Sequence, residues 1–208
     1  QNSLQRAYTE ADLTLYADPA GPYPDVAPSG REMFLGPIAW EPDVALPDWW
    51  DKLPAGPVAY LSMGSSGEAK ATRMIAEALA AEGFVVMTAT AGRGEAAGPF
   101  AADYLPGSAA CARAQIVVGD GGSPSTNQAL AAGRPVLGVC SNLDQFLNMQ
   151  AVQAHGAGLM LRSDALSPER LRAAIRRLRD GSFAARAGAL KEANAGLDVG
   201  AAMDEALG

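Results

Sequence analysis

The stretch Gly119-Asp120-Gly121-Gly122-Ser123-Pro124-Ser125-Thr126-Asn127-Gln128-Ala129-Leu130, followed by Gly133-Arg134-Pro135 and then by Asp144-Gln145, decides the fold. Ile116-Val117-Val118 ahead of it reads as a buried strand, and Ser123 or Pro124 opens a helix that runs through Ala132. A strand entering a helix through glycines leaves the first helical amides unpaired, and with the helix dipole they attract an anion, phosphate above all. Gly121 and Gly122 let backbone amides face inward, and the hydroxyls of Ser125 and Thr126 donate to phosphate oxygens. Asp144 and Gln145, with Asn148 one turn further along, place acceptors and donors side by side, which suits a polyhydroxylated ligand. Phosphate at one end and sugar at the other describe a nucleotide-sugar.

Outward from this box the chain alternates strand and helix. Val58–Met63 is a strand stopped by Gly64-Ser65-Ser66-Gly67. Glu68 to Glu82 carries Met74, Ile75, Ala78 and Leu79 on one helical stripe, and Gly83 ends it. Phe84–Thr88 and Pro135–Val139 are further strands. A helix from about Leu143 to His155 stops at Gly156 and leads into Gly158–Leu161. Ser167-Pro168-Glu169 supplies an N-cap, a first-turn proline and an early acid for a helix reaching about Arg179. Such alternation implies right-handed βαβ units and a doubly wound parallel sheet, an α/β Rossmann-like fold with its ligand at the carboxyl ends of strands.

Residues 1–57 do not read as a domain. Leu13–Ala17 is one candidate strand and Met33–Ile38 another short extended piece, separated and followed by proline-rich segments, Asp18–Pro24 and Pro42–Pro57, that disfavour helix. The expected division is therefore 1–57 as a connector and 58–208 as the ligand-binding domain.

Composition narrows the function classes. A chain of 208 residues with 49% hydrophobic and 19% charged residues is long enough to bury a real core. No apolar run approaches the ~20 residues of a membrane span, and no basic-then-apolar secretory signal is present at the N-terminus. A net charge of −7 argues against nucleic acid as a partner. Cys111 and Cys140 belong to no CxxC pair and read most simply as buried, reduced thiols of a cytoplasmic protein, with a disulfide between them as the open alternative. One histidine, His155, argues against a Ser-His triad or a multi-His metal site within this chain. No metal and no resident cofactor are expected.

The composite Gly-Gly-x-x-Ser-Thr-x-x-Ala-Leu-x-x-Gly-x-Pro, then Asp-Gln-x-x-Asn, resembles the signature of GT-B fold glycosyltransferases, specifically the family of antibiotic, plant secondary-product and sterol glycosyltransferases. The resemblance spans roughly Val58 to Ala189 and implies the C-terminal, donor-binding half of such an enzyme. In that family a His opens the box and the acid–amide pair follows it. Here Asp120 opens the box and Asp144 follows 24 positions later, so the family's spacing is kept while the opening residue differs. The resemblance implies that 1–57 holds the last piece of an acceptor-binding domain and the interdomain connector, and that the chain is a fragment beginning late in its first domain.

It further implies transfer of a hexose from a nucleoside diphosphate sugar, UDP- or TDP-linked, to a small-molecule or lipid-like acceptor held by the preceding domain. That reaction is inverting and metal-independent. The catalytic base is, in the family, a His of that first domain, so no catalytic residue is assigned here and the fragment alone is not expected to turn over. Two other readings stand beside it: a noncatalytic nucleotide-sugar-binding module or auxiliary subunit, favoured by Asp120 and Gln128, and a nucleotide-sugar epimerase.

The remaining site assignments follow from the resemblance. Ser65, Ser66 and Gly67 would lie against the donor phosphates with Asp120, Gly121, Gly122, Ser125 and Thr126, the small residues letting the backbone come close. Tyr104 and Leu105 would contact the nucleobase, and Gln128 the ribose through its amide oxygen. Asp144, Gln145 and Asn148 would hold the donor sugar. A carboxylate at position 120 opposes a diphosphate by ~1 to 4 kcal/mol. Asp120 can turn from the ligand, bridge through a divalent cation, or leave the donor weakly held; the first is expected. Gly92–Gly98 fails as a dinucleotide fingerprint because the third glycine comes one place late and Pro99 follows. Arg162, Arg170, Arg172, Arg176, Arg177 and Arg179 read as a solvated face, and His155, Trp49 and Trp50 as structural.

Overall fold

The structure, a computed structural model, describes residues 11–17, 32–35, 41–64, 69–92 and 98–207. Ser65, Ser66 and Gly67, assigned above to the donor phosphates, lie outside the described residues, as do 18–24, 36–38 and 93–97.

In chain order the elements are β1 (Thr14–Tyr16), β2 (Glu32–Phe34), β3 (Val58–Ser62), α1 (Ala69–Ala81), β4 (Val85–Ala89) and β5 (Ala101–Ala102). Then come α2 (Gly107–Arg113), β6 (Ile116–Gly119), α3 (Ser123–Ala131), β7 (Val136–Cys140), α4 (Leu143–Ala154) and β8 (Gly158–Arg162). Three helices close the chain: α5 (Pro168–Leu178), α6 (Gly181–Asn194) and α7 (Val199–Leu207).

The chain divides into two compact units, one of Gln1–Ala39 with Ala193–Gly208 and one of Trp40–Glu192. In the first, β1 and β2 pair in parallel, the Tyr16 ring stacks on Phe34 at 5.2 Å, and the Tyr16 hydroxyl donates to Glu32 at 3.1 Å. The second unit starts at Trp40, upstream of the boundary read from the prolines. Trp49 donates through Nε1 to the Ala101 carbonyl at 3.2 Å and meets Phe100 edge-on, and Arg113 lies over the Trp50 ring, so both tryptophans pack on the α/β unit.

That unit holds a six-stranded sheet in the order β5-β4-β3-β6-β7-β8, every neighbouring pair parallel. Strand side chains alternate between two buried faces, as a sheet covered on both sides requires. Ala59, Leu61, Val118, Leu137 and Leu159 face α1 and α5 through Ile75, Leu79, Leu171 and Ile175. Val58, Tyr60, Val117, Val136 and Cys140 face the other way, against residues of α2, α3 and α4 such as Cys111, Ala129, Met149 and Val152. Each fully buried Leu or Ile contributes roughly 1.5–3 kcal/mol of transfer free energy.

Helix ends follow the sequence signals. The Ser167 hydroxyl accepts from the Arg170 amide ahead of Pro168, and Asn142 caps α4 by accepting from the Gln145 amide at 3.1 Å. Part of the arginine face of α5 is not simply solvated. Arg172 and Arg176 both donate to Glu82 Oε1, at 2.7 and 3.0 Å, and Arg179 donates to the Glu82 carbonyl at 3.0 Å. The arginines thereby tie α5 to the end of α1. Cys111 and Cys140 are both buried free thiols.

Candidate functional site

The strand order places the site. From β3 the chain steps to β4 and β5 on one side, then returns to β6 on the other side of β3. Connections therefore diverge between β3 and β6, and a crevice opens there at the strands' carboxyl ends. The residues after β3 and after β6, Gly64 and Asp120, line a cleft of about 530 Å³ at this point. Its walls come from Ser62, from Ala89 at the end of β4 and Ala91 beyond it, from Asp103–Leu105, from Gly122–Ser125 at the start of α3, and from Asp144 at the start of α4.

At one end of the cleft is the mouth of α3. The first intrahelical bond runs from the Thr126 amide to the Gly122 carbonyl, so earlier amides lie ahead of the helix's own bonding. No side chain caps this helix, and Pro124 stands in its first turn. The Ser125 hydroxyl leans on the Gly122 carbonyl at 3.4 Å.

Asp120 closes the back of the mouth. It is buried, its Oδ1 accepts the Gly122 amide at 3.0 Å, and its Oδ2 accepts the Gln145 carboxamide at 3.1 Å. Gln145 in turn accepts through Oε1 from the Ser141 amide at 2.8 Å and the Ser141 hydroxyl at 3.1 Å. Asn148 donates to the Gly121 carbonyl at 2.7 Å. Gly121 has φ +88°, and a Cβ there would sit 2.7 Å from Cys140 Sγ and from Met149 Cγ, so only glycine fits.

The other end is built by β4 and the segment before α2. Thr90 Oγ1 donates to Asp103 Oδ1 at 3.0 Å, and the Ala91 amide donates to the Asp103 carbonyl at 2.8 Å, pinning the two loops together. Tyr104 is half exposed at the cleft edge while Leu105 is buried beneath it. Gln128 reaches back from α3 across Gly107, whose missing Cβ leaves room for the amide. Tyr60 forms the floor. Burial pushes its phenol up to about 12, partly offset by a side-chain hydrogen bond with Ser62, so it stays protonated.

Comparison with known proteins bears on this geometry. The family model for the erythromycin biosynthesis protein CIII-like C-terminal domain matches residues 70–199, more than half of the chain. The chain belongs to that family. This family member is 45% identical over 184 residues to a PGL/p-HBAD biosynthesis glycosyltransferase of Mycobacterium tuberculosis (strain ATCC 25177 / H37Ra), covering 86% of the chain and 43% of that protein. It is 44% identical over 178 residues to a PGL/p-HBAD biosynthesis rhamnosyltransferase of Mycobacterium bovis (strain BCG / Pasteur 1173P2), covering 83% of the chain and 40% of that protein. The chain thus spans less than half the length of the curated relatives it matches. Among solved structures, the spinosyn rhamnosyltransferase SpnG has the same fold over 94% of this chain and 56% of its own, with TM-score 0.78 and 23% identity. The fold is that of the C-terminal half of a GT-B glycosyltransferase, the α/β doubly wound architecture expected from the alternation of strand and helix.

Within this family member the structure divides the expected residues into two sets. Asp120, Gly122, Ser125, Tyr104, Leu105, Gln128 and Asp144 line the cleft together. Gly121, Thr126, Gln145 and Asn148 do not line it: they form a shell behind the mouth. Thr126 is buried with its hydroxyl 4.0 Å from Met149 Sδ, and the carboxamides of Gln145 and Asn148 point at Asp120 and Gly121. The reason is the capped start of α4, which turns Asp144 outward and Gln145 inward one residue later. Asp120 is among the residues that line the cleft, and its carboxylate oxygens are taken up by the Gly122 amide and the Gln145 carboxamide. Sequence reading missed Tyr60, Ser62, Gly64, Asp103 and Ser123 as cleft residues. The available signal was the position of Ser62, Gly64 and Asp103 at or just past the carboxyl ends of strands and of Ser123 at a helix start; Tyr60, in the middle of β3, carried none.

Proposed function

We propose that this chain is the donor-binding half of a glycosyltransferase that moves a hexose from a nucleoside diphosphate sugar, UDP- or TDP-linked, to a small-molecule or lipid-like acceptor. One observation carries the reading: a single cleft at the switch point of the sheet joins the mouth of α3, the Tyr104–Gln128 end and the Asp144 carboxylate. The nucleobase lies against Tyr104 and Leu105, the ribose meets Gln128, the phosphates sit at the start of α3, and the sugar hydroxyls reach Asp144. The family membership and the relatives named as glycosyltransferases support it.

In this reading the amides of Ser123 and Ser125 and the Ser125 hydroxyl offset charge that develops on the leaving diphosphate, an electrostatic contribution that needs no bound metal. The acceptor and the base that deprotonates it belong to the half of the protein absent from this chain. The place of action is the cytoplasm. Among the described residues no helix is long and apolar enough to cross a membrane.

Calorimetric titration of UDP and TDP into the chain, with and without Mg²⁺, tests the reading. Saturable binding of one of the two without Mg²⁺, and no transfer until the missing half is supplied, is the expected result. A second reading, a noncatalytic nucleotide-sugar-binding module, draws on the carboxylate of Asp120 in the mouth. Binding that persists while the reassembled protein transfers nothing supports that alternative.

A further inference from the structure

The phosphate end of the cleft contains an anion of the protein's own. Asp120 is 4% exposed and lines the cleft, yet no step of the proposed transfer uses it. Its Oδ1 takes the Gly122 amide, the one placed just ahead of α3, and its Oδ2 takes the Gln145 carboxamide. Two glycines seat it: a Cβ on Gly64 would come 2.9 Å from Oδ2, and a Cβ on Gly122 would come 3.3 Å from Oδ1. Gln145 is itself held by the Ser141 amide and hydroxyl, so the carboxylate cannot swing away without giving up both the Gly122 amide and a fixed carboxamide donor. Pro124 has no amide proton. Of the backbone donors at this mouth, Gly122 is taken and Pro124 is missing, which leaves Ser123 and Ser125 for a ligand.

We propose that Asp120 is a selectivity residue that sorts phosphate ligands by charge, and in particular donor from spent nucleotide. The inference rests on the donor-binding reading of the cleft. A nucleoside diphosphate esterified to a sugar carries less negative charge than the free diphosphate left after transfer. A fixed carboxylate at the mouth therefore repels the product more strongly than the donor, and the cleft holds its nucleotide mainly by nucleoside and sugar. Asp120 does not touch the reacting bond. It acts on the hold exerted on the terminal phosphate, and so on product release.

Calorimetric titration of uridine, UMP and UDP, and of the thymidine series, into the wild-type chain and into Asp120→Asn tests this. In the wild type the diphosphate binds within about ten-fold of the nucleoside. In Asp120→Asn the nucleoside affinity stays the same while the diphosphate gains roughly ten- to hundred-fold, the factor that one partly screened charge pair supports. Equal diphosphate-to-nucleoside ratios in the two proteins overturn the charge-sorting role while leaving the donor-binding reading in place. No binding of any nucleoside or nucleotide by either protein overturns the donor-binding reading and this inference with it. Should Asp120→Asn not fold, judged by circular dichroism and a thermal melt, Asp120→Ser carries the same test, since its hydroxyl also accepts from the amide two residues on.

Discussion

Gln145 donates through Nε2 to Asp120 Oδ2 at 3.1 Å, with both side chains buried. The same carboxamide accepts from Ser141, so one side chain joins the turn after β6 to the turn after β7. Replacing it by Leu keeps the volume but leaves a buried carboxylate oxygen and the Ser141 amide without this partner. Gln145→Leu should destabilise the chain by about 2–4 kcal/mol, more than Asn148→Ala, which removes one neutral bond to Gly121 and should cost about 1–3 kcal/mol. Urea denaturation followed by circular dichroism compares them. Equal stability of Gln145→Leu and wild type would show that the clasp contributes nothing.

The Gly121 backbone adopts φ +88° against Cys140 and Met149. Gly121→Ala adds backbone strain of roughly 1–2 kcal/mol and an overpacking cost of roughly 1–3 kcal/mol. Gly196 has open space around it, so Gly196→Ala should stay within about 0.5 kcal/mol of wild type. Thermal melts of the two variants give the contrast, and a Gly121→Ala melt matching that of Gly196→Ala would contradict the close packing of Gly121 against Cys140 and Met149.

Burial pushes the Cys111 and Cys140 thiols up to about 12, with nearby Glu41 and Asp120 carboxylates adding to the shift. Thiolate is the reactive form. A coloured disulfide reagent at pH 8 should therefore find no thiol in the folded protein and two after denaturation, read from its absorbance.

Glu82 is held below the usual carboxylate range, chiefly by its hydrogen bond with Arg172 and then by the charges of Arg176 and Arg172. A carboxyl group whose folded pKa is depressed stabilises the fold above its unfolded pKa, and that stability is lost as pH falls through the folded value. Glu82→Gln should accordingly be less stable than wild type at pH 7, and the gap should close as the pH drops below 4.5 toward the depressed value. Melting temperatures across pH 2–8 check the sign. A gap that widens in acid would exclude this ion pair as its source.

How much of this was legible depended on periodicity and caps. The strands around Val58, Ile116 and Val136 are apolar runs bounded by glycine or proline, and α1, α4 and α5 carry either a stripe or a cap, so their limits were read to within a residue or two. Helix α2 was not read, because Gly107-Ser108-Ala109-Ala110-Cys111-Ala112-Arg113 is six small residues and an arginine, without an apolar stripe. Helix α6, rich in Ala and Gly, buries only Ala187, and β5 is two alanines. Arg172 sits 90 positions from Glu82, a pairing no local pattern reveals. At the site, motif spacing brought out the mouth of α3 and Asp144. It did not tell which way each side chain turns: Asp144 and Gln145 are adjacent in sequence, yet one faces the cleft and the other the shell behind it.

That divergence separates the proposed sugar contact from the proposed nucleoside contact. Asp144 is exposed on the cleft wall, while Tyr104, 53% exposed, stands at the opposite end. If the ligand lies as proposed, the two side chains meet different parts of it. Tyr104→Ala removes a stacking face worth roughly 1–3 kcal/mol and should weaken nucleoside, diphosphate and nucleotide-sugar by a similar factor. Asp144→Ala removes an acceptor for sugar hydroxyls and should weaken only the nucleotide-sugar, by roughly ten-fold for a charge-assisted bond. Titrating all three ligands into both variants resolves the pattern. A gain of diphosphate affinity in Asp144→Ala would place the phosphates, not the sugar, beside this carboxylate and would reverse the ligand's direction in the cleft.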